Sequence, residues 1–255
     1  MIHETAIVSK EAKIGKNANI GPFAIIEGRV EIGDNVEIAA RAHIIDGAII
    51  GDNNYIGEGT IISDKPQDTK YKNEKSFVRI GSNNVIREYV TIHRATHEGE
   101  ATVIGNDCFI MLMAHIAHDC KIGNSVIMVN HAGLAGHIEV GDYAFISGHA
   151  LAHQHTRIGA HAMVGGATRV VKDVMPFVTV ADDPLRNFGL NKVGLKRRGF
   201  TPEKLAILGK MYKIFFRDKL VLEDALKKIE SEVEQIDEVK LFVEFARTSE
   251  RGLTR

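Results

Sequence analysis

A repeat of six residues governs what this chain can fold into. Of the 28 positions taken every sixth residue from Val8 to Val170, 24 are Ile, Val, Leu or Met, and 18 are Ile. The phase is unbroken from Val8 to Ile62, resumes at Ile80 and resumes again at Ile104. A second phase lies two residues earlier: of its 29 positions from Ala6 to Val174, 24 are Ala, Val, Thr or Cys. Two inward residues with one outward residue between them make a short strand of period two. The other three residues of each unit must turn a corner. On an 18-residue beat, Gly15, Gly33, Gly51, Gly105, Gly123, Gly141 and Gly159 fill seven of nine slots. Three hexads make one triangular coil, so the predicted fold is a β fold, a parallel β-helix of hexapeptide repeats. The glycines fall at its corners, where a positive φ is expected of them.

Two stretches break the count. Residues 63–79 place Asp68 and Glu74 on the inward phase, where an unpaired carboxylate cannot be buried, so this is an external loop of the kind that carries function. Residues 93–101 make a shorter break, a lid or a subunit contact. After Val174, Met175-Pro176-Phe177 ends the regular ladder, and residues 177–200 are expected to be irregular. Thr201-Pro202-Glu203 is a helix start. The apolar stripes beginning at Leu205, Leu222 and Val239 predict about three helices from 201 to roughly 248. The expected division is residues 1–190 for the β-helix and 191–255 for a small helical domain.

Composition excludes several classes of function. A net charge of −1 offers nothing global to nucleic acid or to an anionic membrane. No apolar run approaches the length of a membrane span, and Met1-Ile2-His3-Glu4 does not read as a signal peptide, so a cytoplasmic protein without stable membrane insertion is expected. The two cysteines, Cys108 and Cys120, share the small inward phase and read as buried fillers.

Chemistry concentrates between residues 115 and 161, where eight of the 12 histidines lie. His118 and Gln154 share a corner column with Gly136 between them. His131 stacks with His149, and His137 with His155, because residues 18 apart on such coils are neighbours at about 4.8 Å. Solvent-facing corners offer a histidine little pocket, so a groove between subunits packed as a cyclic trimer is expected. His118-Asp119 can act as a base with its tautomer held by a carboxylate. Ser125 and Ser147 lack a base in register, which favours direct transfer over a covalent intermediate. No two histidines are five residues apart, the spacing at which carbonic anhydrases of this fold hold zinc, so no metal and no cofactor are expected.

Pro66-Gln67-Asp68-Thr69-Lys70-Tyr71, His115-Ile116-Ala117-His118-Asp119-Cys120, Leu134-Ala135-Gly136-His137, Ala152-His153-Gln154 and Leu195-Lys196-Arg197-Arg198-Gly199-Phe200, set among these repeats, resemble the acyl-carrier-protein–UDP-N-acetylglucosamine O-acyltransferases of lipid A biosynthesis. The resemblance covers nearly the whole chain. It implies a homotrimer of left-handed β-helices with active sites in the clefts between subunits. It further implies that a 3-hydroxyacyl chain passes from acyl carrier protein to the 3-hydroxyl of UDP-N-acetylglucosamine. His118 would be the general base, Asp119 would orient it, and the Gly136 N–H would meet the oxyanion. By the same resemblance, Asp68, Lys70, His115, His137, His153 and Gln154 bind substrate. Asn191, Arg197 and Arg198 reach the donor or the UDP phosphates, and Gly166 leaves room for a long acyl chain. Val193 stands where many members have Glu, Asp182-Asp183-Pro184 replaces a usual Gly-Asn turn, and His155 replaces a common Phe. A related transferase acting on a 3-amino or 2-amino UDP-sugar remains the alternative, and a metal-binding or non-catalytic trimer is the alternative of another class.

Overall fold

The hexad writes itself directly into backbone. In the computed structural model, which describes residues 1–255, most units form a strand of two residues, such as Lys13–Ile14, Asn19–Ile20 and Ile25–Ile26. The chain visits three sheets in rotation, of nine, eight and ten strands, and so builds a three-sided, left-handed β-helix. The first sheet runs from Ile7–Val8 to Arg169–Val170, the second from Lys13–Ile14 to Arg157–Ile158, and the third from Asn19–Ile20 to Arg186–Leu190. The first edge lies between sheets one and two, the second between two and three, and the third between three and one.

Register turns the six-residue arithmetic into packing. In the second sheet Ile14, Ile32, Ile50, Ile80, Ile104, Ile122, Val140 and Ile158 pair in one parallel ladder. From Ile32 onward each is at most 5% exposed. Each such side chain contributes roughly 1.5–3 kcal/mol by leaving water, and Ala, Val, Thr and Cys between the ladders leave room for them. Cys108 and Cys120 are buried and free.

The glycines are there for a different reason from the one expected. None of the seven corner glycines has a positive φ. The left-handed residue comes two positions later and is not glycine: Asn17, Asn35, Asn53, Asp107, Ser125, Tyr143 and His161 all lie between φ 54° and 62°. What the glycines provide is clearance. A Cβ on Gly33 would sit 2.7 Å from the Gly51 carbonyl carbon, and one on Gly105 2.7 Å from Gly123 O. The column also has a member that the 18-residue beat misses. Gly81 lies between Gly51 and Gly105, because the two interruptions delay the repeat first and restore its phase afterwards.

Those interruptions are shorter than expected. Strand Ile61–Asp64 precedes the first and strand Phe77–Ile80 follows it, with Val78 fully buried on the small phase. Thr91–His93 and Ala101–Ile104 likewise close in on the second. The loops proper are residues 65–76 and 94–100. Both leave the first sheet and enter the second, so both stand on the first edge.

Residues 177–200 are not irregular. Val178–Ala181 continues the third sheet beside Met163–Val164, and Arg186–Leu190 returns antiparallel to it. Phe177 is fully buried and stacks on His161 at 5.6 Å, which keeps the chain on the prism past Pro176. Four helices follow: α1 (Lys192–Arg197), α2 (Pro202–Phe216), α3 (Leu222–Glu232) and α4 (Asp237–Arg247). Three match the apolar stripes; α1, only six residues long, has too little periodicity to be read. Thr201 caps α2 by accepting the Lys204 N–H. Leu208, Phe215, Leu226, Ile229, Val239 and Phe242 form the helical core. No helix is long and apolar enough to cross a membrane.

Candidate active site on the first edge

Each turn offers two outward positions, and on the first edge these carry chemistry. One column holds His118, Gly136 and Gln154; the next holds Asp119, His137 and His155. Coil-to-coil hydrogen bonds fix them, His137 N–H to His118 O at 3.0 Å and His155 N–H to Gly136 O at 3.1 Å. Asp119, His137 and His155 all occupy the left-handed turn position, with φ between 60° and 62°.

The centre of the group is the pair at its head. His118 Nδ1 lies 2.7 Å from Asp119 Oδ2, with the two side chains 12% and 11% exposed. Asp119 is held in turn by the 94–100 loop: Thr96 Oγ1 donates to Oδ2 at 2.8 Å and the Thr96 N–H reaches Oδ1 at 3.1 Å. Its own N–H donates to Thr102 Oγ1 at 2.8 Å. Burial works against the charge on Asp119, but hydrogen bonds from His118 and Thr96 outweigh it and hold its pKa below the usual carboxylate value. An ionised carboxylate accepting from Nδ1 puts the proton of neutral His118 on Nδ1 and leaves Nε2 as a free base.

The ring lies across Gly136, where a Cβ would come 2.7 Å from Nε2. The Gly136 N–H has no partner in the chain, so it is free to donate to a ligand. His137 Nε2 stands 3.6 Å from Asp119 Oδ2, and its ring stacks on His155 at 4.6 Å. Burial, and then the neighbouring His155, push the His137 pKa down against the pull of Asp119. His118, Asp119 and His137 offer ligand atoms within 4.8 Å of one another, a set that could hold a metal ion.

Behind this group lies a layer of which the sequence singled out only His115. His93 is 5% exposed and meets His115 edge-to-face at 5.1 Å. His115 Nδ1 pairs with Thr91 Oγ1 at 2.7 Å. Burial lowers the His93 pKa and takes that of His115 to about 4, so the His115 ring is neutral above that value. His93 sits in the second break of the repeat, where the six-residue count says nothing about direction. Thr96 is invisible for the same reason.

The structure places the remaining expected residues on all three edges. Asp68 and Lys70 lie in the 65–76 loop on the first edge, where the Lys70 N–H donates to Asp68 Oδ1 at 2.8 Å. His153 and Gln154 are exposed on the same edge. Gly166 is on the third edge with His131 and His149, whose rings stack at 4.7 Å. Asn191 is on the second edge, 9% exposed, and both ends of its side chain are in use: Nδ2 donates to His161 O at 3.0 Å, and Oδ1 accepts the Gly194 N–H at 3.1 Å. Arg198 stacks on Tyr143 at 4.6 Å on that edge, and burial lowers its pKa. Arg197 is exposed beside it. One chain therefore does not gather the eight clustered histidines into one groove.

Comparison with known proteins agrees with this geometry. Residues 11–44 and 29–64 match the family described as bacterial transferase hexapeptide (six repeats), and residues 173–254 match UDP N-acetylglucosamine O-acyltransferase, domain 2. An acyl-[acyl-carrier-protein]–UDP-N-acetylglucosamine O-acyltransferase of Sulfurihydrogenibium sp. is 58% identical over 253 residues, covering 99% of this chain and 93% of that one. One of Thermodesulfovibrio yellowstonii is 51% identical over 255 residues, covering 100% and 99%. The crystal structure of a UDP-N-acetylglucosamine acyltransferase from Bacteroides fragilis superposes with a TM-score of 0.98 at 42% identity, with 100% of both chains covered. The corresponding Francisella novicida structure gives 0.96 at 42%, with 100% of this chain and 94% of that one covered. With full-length relatives at this identity and a superposable fold, the chain belongs to the acyl-[acyl-carrier-protein]–UDP-N-acetylglucosamine O-acyltransferase family and is an acyltransferase.

Proposed function

We propose that the protein works as a homotrimer in the cytoplasm, transferring a 3-hydroxyacyl chain from acyl carrier protein to the 3-hydroxyl of UDP-N-acetylglucosamine, the first step of lipid A biosynthesis. The observation that carries the reading is the His118–Asp119 pair, locked by Thr96 on the edge where both loops emerge.

Surface chemistry supports the assembly. The second sheet turns Lys13, Glu31, Arg79, Lys121 and Glu139 outward, a solvated stretch. The third sheet turns out Tyr55, Val85, Phe109, Ile127, Phe145 and Met163. The first sheet turns out Ile7, Ile25, Ile61 and Leu151. The third edge, between these two apolar faces, exposes Phe23, Tyr89 and Met113 at 59%, 50% and 48%. A three-fold axis beside that edge packs the third sheet of one subunit on the first sheet of the next. It then sets the first edge of one subunit against the second edge of its neighbour. His118 would face the neighbour's α1 across a cleft, and the two edges together would supply the residues that one chain holds apart. The acyl chain would run inward between the apolar faces, where Gly166 leaves room.

In this reading the sugar 3-hydroxyl gives its proton to His118 Nε2 as its oxygen attacks the thioester carbonyl. Asp119 stabilises the imidazolium, and the Gly136 N–H donates to the oxyanion. Collapse expels the pantetheine thiolate, which takes the proton from the imidazolium. No acyl-enzyme forms. Mass spectrometry of the purified protein with UDP-N-acetylglucosamine and a panel of 3-hydroxyacyl carrier proteins should show an acylated nucleotide sugar, with the 3-amino acceptor run beside it. His118→Ala should abolish turnover while the trimer persists in sedimentation. Product at the wild-type rate from that variant would remove His118 as the base. A metal-dependent reading rests on the three ligand atoms above; loss of turnover after chelation, restored by zinc, would favour it.

A further inference from the structure

The C-terminal segment returns to the first edge. Asp173, 1% exposed, anchors it. The Asp173 carboxylate accepts Ser249 Oγ at 2.8 Å and Arg157 Nε at 3.2 Å. Its N–H donates to Gly252 O at 2.8 Å, and its carbonyl accepts the Thr254 N–H at 2.9 Å. Arg157 reaches further along the segment, donating to Phe245 O at 2.9 Å and Thr248 Oγ1 at 3.0 Å while stacking over the Phe245 ring at 4.3 Å. Held in this way, the segment forms one wall of a polar groove of about 670 Å³ that also meets Asp119, His137 and His155.

From that wall Arg251 reaches His153, with Nη2 2.8 Å from Nδ1. A guanidinium is always protonated and can only donate, so Nδ1 must accept and the ring proton must sit on Nε2. The same Nδ1 lies 3.2 Å from Gln154 O, an acceptor that could be satisfied only by the opposite tautomer. The two contacts make incompatible demands. The shorter, charge-assisted one decides.

We propose that Arg251 is a positioning residue that holds His153 as the Nε2–H tautomer, so that the ring presents a donor to a ligand oxygen in the cleft. The helical region thereby contributes to the site through its last residues. The binding role rests on the reading of the first edge as a substrate cleft; the tautomer does not.

Imidazole-¹⁵N spectra of the full-length trimer test the tautomer, with His153→Gln identifying the resonances. Wild type should carry the His153 proton on Nε2. Arg251→Ala should move it toward Nδ1, since Gln154 O is then the remaining partner, and Arg251→Lys should restore it. An Nδ1–H ring in wild type, or an identical pattern in wild type and Arg251→Ala, overturns the proposal. In kinetics, Arg251→Ala should raise KM for one substrate about tenfold, the loss of one well-placed hydrogen bond, with kcat little changed and rescue by Lys. A tautomer shift that leaves both KM values unmoved overturns the binding role of His153. Failure of wild type to turn over any donor would instead strike the reading of the cleft and leave the tautomer result standing.

Discussion

A single methyl group tests the spacing on which the site depends. Alanine at position 136 would put its Cβ 2.7 Å from His118 Nε2 and 2.9 Å from Nδ1, where ordinary contact begins at 3.4 Å. The ring must retreat by about 0.7 Å at Nε2, and by roughly 1 Å at its nearest carbon. Little else opposes the substitution: Gly136 is not in the left-handed region, and alanine keeps the N–H. The retreat works against the 2.7 Å bond that ties Nδ1 to Asp119, so the base leaves its position while the fold is spared. Misplacing a reacting group by about 1 Å costs on the order of a hundredfold, or about 2.7 kcal/mol of barrier. Steady-state turnover by mass spectrometry should show that loss in kcat/KM for Gly136→Ala, with the thermal midpoint and native mass near those of wild type. Activity within about threefold of wild type would mean that the imidazole has slack here and that its packing over Gly136 does not set its aim.

Replacing Asp119 with asparagine keeps the shape but removes the charge that steadies the imidazolium and one of the two oxygens that accept from Thr96 and His118; kcat should fall about 10²–10⁴-fold, and a pre-steady-state rate equal to wild type would contradict this. Burial holds His115 and His161 at about 4 against 6.5 in the unfolded chain. Between those values the unfolded chain binds more protons, so stability is complete above pH 6.5 and is lost as pH falls toward 4. Thermal melts should show this, and His161→Phe, which preserves stacking between Tyr143 and Phe177, should flatten the slope; an unchanged slope would deny His161 its share. Burial pushes the Cys108 and Cys120 thiols up to about 11 and about 12. Iodoacetamide at neutral pH should therefore label neither in the native protein and both after denaturation, as read by intact mass.

The ladders, the prism and the position of His118–Asp119 on an edge were legible because period six is a one-dimensional signal that survives without any contact being known. Ile50 on Ile80, for example, follows from phase alone once the loop between them is discounted. What stayed hidden was whatever left the count. Thr96, His93 and Gly81 lie in or beside the interruptions, where phase carries no direction. The Arg251–His153 contact joins residues 98 apart that no periodicity links. The corner glycines were found for the wrong reason. Spacing told that the chain turns there, but only the coil stacked above shows that the missing atom is a matter of clearance rather than of φ. Asn191 has a part that likeness did not supply: its amide caps α1 through Oδ1 and donates to His161 O through Nδ2.

The left-handed turn residue has a consequence for how this enzyme could be hardened or broken. Along the second edge that post is given to asparagine four times in succession, at Asn17, Asn35, Asn53 and Asn83, a residue that tolerates the conformation and forms a ladder with its own kind at 3.2–3.3 Å. On the first edge the same post falls to Asp119, His137 and His155. Asparagine written into those three would extend the ladder, but at Asp119 it would also remove the carboxylate that His118 and Thr96 hold and that the proposed mechanism uses. Durability and chemistry compete here for one backbone address, repeated coil after coil.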